Sequence, residues 1–141
     1  MIMKIKTVKI EWSYPRAYEN IFNSPKINGV GIYCLSRKYG DKETLLYIGK
    51  SNHSFKSRLN SHQEWFEQYK GKRLVRLGII AWPEKLDDKL TSFVESALIL
   101  ATEPYENTQS RKSYTYFDDC EYEIINTGYR GLLPKIIKTA D

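Results

Sequence analysis

Between Ile5 and Trp12 polar and apolar residues alternate, a period of two that predicts a strand. Pro15 to Phe22 reads as a short helix, after which Ser24-Pro25 and Asn28-Gly29 break the chain. Val30 to Ser36 and Thr44 to Lys50 read as two strands, with Gly40-Asp41 in the polar stretch between them supplying a hairpin turn. Ser51, Asn52 and Ser54 are candidate N-caps for a helix from about Phe55 to Tyr69, whose Phe55, Leu59, Phe66 and Tyr69 form one stripe; Gly71 ends it. Leu74 to Trp82 is apolar and β-branched enough for a buried strand, closed by Pro83. A second long helix runs from about Leu86 to Thr102, with Asp87 and Asp88 favouring its positive end and Pro104 stopping it. Beyond Asn107 the pattern weakens. Ser110 to Tyr116 reads as loop, Glu121 to Ile125 as a strand and Leu132 to Lys138 as a short helix. The sum is a small α/β layer structure with a flank at each end.

The 141 residues suit one domain with a single core. A hydrophobic content of 41% and a charged content of 28% are those of an ordinary soluble globular protein. Lys and Arg number 22 against 17 Asp and Glu, a net charge of +5 that is compatible with a polyanionic partner such as nucleic acid. Cys34 and Cys120 are too far apart for a disulfide framework or a Cys-x-x-Cys metal site. Met1 to Glu11 lacks the apolar core of a signal peptide, and no window approaches the ~18 apolar residues of a membrane span. The economical reading is a cytosolic (cytoplasmic) protein.

Arg58 and His62 stand four residues apart on the first long helix and therefore share a face. A core-edge histidine beside an unrelated arginine would look the same. Glu95 is sharper: it is the only charge in the apolar run Ser92 to Ala101. A carboxylate buried there must reach water, a cation or a hydrogen-bond network, because leaving it unpaired costs several kcal/mol. A salt bridge at the helix rim would also satisfy it. Asn107 follows the helix end, where asparagine commonly turns the chain. Gly49-Lys50-Ser51 imitates the tail of a phosphate-binding loop, but position 44 is Thr44 where that motif needs glycine. His53 and His62 lack zinc-ligand spacing.

Gly31-Ile32-Tyr33 on one strand, Tyr47-Ile48-Gly49 on the next, Arg58 with His62, then Glu95 and Asn107 occur in the order of motifs of the GIY-YIG nuclease family. The chain resembles that family over roughly residues 29–107, with flanks 1–28 and 108–141. The resemblance implies a three-stranded antiparallel sheet flanked by helices, with Tyr33, Tyr47, Arg58, His62, Glu95 and Asn107 in active-site positions and Gly31 and Gly49 as motif glycines. It further implies metal-dependent hydrolysis of phosphodiester bonds in DNA. One Mg²⁺ or Mn²⁺ held by Glu95 would polarise the phosphate, and Arg58 would offset its charge. A free tyrosine has a pKa near ~10, so Tyr33 as base needs cationic help. The resemblance points to Tyr33 as base; the residues themselves leave His62 open.

The residue set resembles the restriction and homing branches more than the excision-repair branch. The loop Arg37 to Glu43 is longer than in the tightest members. Lys50, Lys56, Arg73 and Arg76 are expected at the rim as phosphate contacts. The chain is expected to be a monomer without substrate, with DNA specificity drawn from the flanks or a partner. A non-catalytic nucleic-acid-binding module of the same fold and a protein-interaction domain are the rival classes.

Overall fold

The computed structural model describes residues 4–85, 87–107 and 117–139. The loop expected over Ser110 to Tyr116 lies outside them. Strand β1 (Ile5–Trp12) follows its alternation, burying Val8, Ile10 and Trp12. The helix expected from Pro15 to Phe22 is reduced to a two-residue strand β2 (Arg16–Ala17) and one turn, α1 (Tyr18–Ile21). The hairpin strands β3 (Gly31–Tyr39) and β4 (Lys42–Ser51) pair antiparallel around the Gly40-Asp41 turn. Helices α2 (Phe55–Asn60) and α3 (Gln63–Phe66) lead to strand β5 (Lys72–Trp82) and the long helix α4 (Asp88–Thr102). Asp87 caps α4 by accepting the Lys89 amide at 2.8 Å. Strands β6 (Glu121–Gly128) and β7 (Ile136–Lys138) complete the described elements.

The three-stranded antiparallel sheet expected from the resemblance is not the architecture found. The strands form one seven-stranded mixed sheet in the order β4-β3-β5-β1-β6-β7, with β2 also on β5. β1 pairs antiparallel with β5 and parallel with β6. The reason lies in α4, which buries Leu90, Phe93, Val94, Ala97, Leu98 and Ile99. Three strands offer too little apolar surface to cover that helix. Val8, Ile10 and Trp12 of β1, with Tyr122 and Ile124 of β6, supply the remainder. The expected helix Leu132 to Lys138 is corrected too: Ile136 and Ile137 pair with Ile125 and Ile124 as β7, and the open ladder of β6 takes the backbone groups a helix would have used.

Each sheet face carries its own core. Ile32 and Cys34 point towards α4, whereas Tyr33 and Leu35 point towards Tyr18, Phe55, Leu59 and Phe66 of the three short helices. Neighbouring residues of β3 thus serve opposite cores, and Tyr33 falls on the short-helix side. No helix among the described residues is long and apolar enough to cross a membrane.

Candidate active site

The hairpin register sets Tyr33 opposite Gly49. A side chain at position 49 would collide with the Tyr33 phenol and with the Tyr47 ring. Only glycine lets the Tyr33 ring lie across the neighbouring strand. Tyr33 is fully buried while Tyr47 is half-buried, their ring centroids 6.2 Å apart. Gly31 opens β3 opposite Ser51.

The continuous helix expected from Phe55 to Tyr69 is broken at Ser61 and His62, and the break aims the histidine. Ser61 turns both its amide and its hydroxyl onto the Arg58 carbonyl, at 3.1 and 2.6 Å, and the His62 amide reaches back to Leu59 at 3.1 Å. These tightened bonds end the first helix, since serine readily satisfies a carbonyl of the preceding turn. His62 then enters the sheet-facing core, 8% exposed, with its ring 4.6 Å from that of Tyr47.

Two contacts fix the proton on His62. The Trp65 indole N–H, which can only donate, lies 3.1 Å from His62 Nδ1. Nδ1 is therefore the bare nitrogen, and the neutral ring carries its hydrogen on Nε2, 2.8 Å from the Tyr33 hydroxyl oxygen. Burial, aided by the Arg58 charge, lowers the His62 pKa to about 4, so the ring is neutral at physiological pH. Tyr33 consequently accepts a hydrogen bond from His62.

Burial raises the Tyr33 pKa well above its ordinary value, against the pull of the Arg58 guanidinium, which acts on the phenol by charge and by hydrogen bonding. Arg58 is in turn raised chiefly by Tyr33. The charge of Glu95 bears on both groups, and its side chain is 7% exposed on α4. One turn before it, Ser92 accepts a hydrogen bond from Lys50, which brings an ammonium to the same helix. Among the described residues no three His, Cys, Asp or Glu gather as a metal cage. A single carboxylate, with water and substrate phosphate completing the shell, is a donor set that suits magnesium.

Asn107 does not face the tyrosines. Its amide clips the backbone of β4: Oδ1 accepts from the Ile48 amide and Nδ2 donates to the Ile48 carbonyl, both at 3.0 Å. It positions Tyr47 and Gly49 on either side of Ile48. Lys56 is exposed on α2, and Arg73 lies 3.7 Å from Glu19. Arg76 is not at a rim at all: it is 7% exposed and bonded to Glu43 at 2.6 Å. A groove of about 1030 Å³ bounded by Trp82, Leu90, Phe117 and Tyr122 shares no residue with the cluster. Trp65 escaped the sequence reading, although its position three residues after His62 was the available signal. No protein-family profile, curated protein or solved structure matches this chain.

Proposed function

We propose that this protein is a DNA endonuclease of the GIY-YIG type, hydrolysing phosphodiester bonds at the Tyr33 cluster. The observation that carries the reading is the Tyr33 oxygen. It takes a hydrogen bond from His62 and feels the Arg58 charge, and both work against the burial that holds the phenol protonated, so that a bound cation would complete its activation. His62 has no lone pair to offer, because Trp65 occupies Nδ1 and Nε2 bears the hydrogen. Tyr33 is therefore the base and His62 its positioning residue.

Arg58, an exposed residue, would also hold the substrate phosphate. Glu95 would hold a divalent ion, Mg²⁺ or Mn²⁺, whose chemistry when bound is to polarise the phosphate and stabilise the leaving oxygen. Lys50 and Asn107 set the frame, the first against α4 and the second along β4.

Purified protein incubated with supercoiled plasmid and either ion tests the reading. The wild type should nick or linearise the plasmid. Glu95→Gln should cut about 10²-fold more slowly or worse while still binding DNA, since affinity for phosphate comes from the basic surface. Plasmid left intact by the wild type under every condition, or full activity of Glu95→Gln, would overturn it.

A further inference from the structure

At the turn end of the β3–β4 hairpin, like charges face one another. The register sets Arg37 opposite Arg73 and Lys38 opposite Lys72, and cations directly opposed across strands repel. The carboxylates nearby offset little of this charge. Glu43 is taken by Arg76 at 2.6 Å, Asp41 sits in the exposed turn, and the exposed Glu19 offsets part of Arg73 from 3.7 Å. Lys42 and Lys70 add two more cations at the same end.

The block is built into the fold. Gly71, with φ +95°, packs so tightly on β3 that a side chain there would come within 2.5 Å of the Lys38 carbonyl, so the Lys70–Lys72 turn is pressed against the hairpin. The Arg37 guanidinium lies over the rings of Tyr39 and Tyr69, at 5.6 and 5.5 Å. Tyr69 lies 6.1 Å from Trp65, whose ring is 5.6 Å from His62. A continuous aromatic path thus joins the block to the Tyr33 cluster. Arg37 shares the Tyr33 face of β3, four residues along. At ~3.3 Å per residue that is about 13 Å, the rise of about four base pairs of duplex.

We infer that this end of the hairpin is a second phosphate-binding surface, which grips duplex DNA about four base pairs from the cleaved bond and sets the direction in which the duplex crosses the site. The inference rests on the nuclease reading above. Repulsion between Arg37 and Arg73, which share the Tyr33 face, is relieved when a phosphate enters between them.

Binding of a short fluorescent duplex to the intact chain carrying Glu95→Gln, over a series of salt concentrations, tests it. Adding Arg37→Gln with Arg73→Gln should weaken binding severalfold and lower the salt slope by about 1.8, at ~0.9 per lost phosphate contact. Lys38→Gln with Lys72→Gln, a pair on the opposite face of the sheet, should leave affinity and slope close to the parent's. A wild type that cuts plasmid, together with an Arg37→Gln, Arg73→Gln variant that keeps the parent's affinity and slope or loses no more than the lysine variant does, would overturn the surface and leave the nuclease reading standing. A wild type that neither cuts nor binds DNA would overturn both.

Discussion

The proton on His62 makes this protein sensitive to mild acid. In the unfolded chain the ring titrates near pH 6.5, whereas in the fold burial holds it down to about 4. Between those values the unfolded chain binds the proton first, so stability falls as pH drops through the window and is fully present above it. At ~1.4 kcal/mol per pH unit, up to about 3 kcal/mol is at stake. His62→Gln should flatten this part of the profile, which melting temperatures measured from pH 7 to pH 4.5 on both proteins would record. Equal slopes would mean the ring takes up its proton without cost. The nearness of His62 to Arg58 was legible in their spacing, although the shared helix inferred from it is broken between them. The tautomer of His62 was not legible, because that depends on where one indole N–H points.

Among the elements, β4 is an edge strand whose outer side is covered by the segment after α4 rather than by another strand. Glu106 donates to the Leu46 carbonyl at 2.6 Å, and Asn107 closes both free groups of Ile48. Asn107→Ala would open this edge. It should cost about 1 to 3 kcal/mol, speed hydrogen exchange at the Ile48 amide and slow cleavage by loosening Tyr47. Exchange at Ile48 unchanged from wild type would show that the clip is dispensable. The strands of the hairpin and α4 were readable from local pattern and from the Gly40-Asp41 turn. The break between α2 and α3 was hidden, because Phe55, Leu59, Phe66 and Tyr69 keep helical spacing across it. Side-chain back-bonding by Ser61, a residue equally at home on a helix surface, made the difference. Arg76 was misplaced for a related reason: charge alone suggested a rim, and only the position of Glu43 across the sheet shows it buried.

For the whole molecule, the strands β1, β6 and β7, which lie outside residues 29–107, are structural members of the sheet rather than appendages. Asn126, 1% exposed, accepts the Trp12 indole N–H at 2.9 Å and donates to the Pro134 carbonyl at 2.8 Å, tying β1, β6 and the approach to β7 together. Asn126→Ala leaves the buried Trp12 indole N–H without its partner, while the carbonyl of the exposed Pro134 can turn to water. It should lower stability by about 1 to 3 kcal/mol in urea unfolding while the proposed cleavage per folded molecule stays at the wild-type level. A large loss of activity with stability intact would instead tie this corner to the chemistry. The parallel pairing of β1 with β6 has a consequence for when the protein can work. Ile5 lies beside Glu121 in register, so residues made first must wait for residues made 116 positions later. Contacts of such long separation form slowly, commonly over milliseconds to seconds. On the ribosome, β1 cannot settle between its two neighbours until β6 has emerged. The tyrosine cluster, although assembled from the middle of the chain, is held firm only when synthesis has passed Gly128. A nascent chain thereby lacks a finished cluster until its fold is closed.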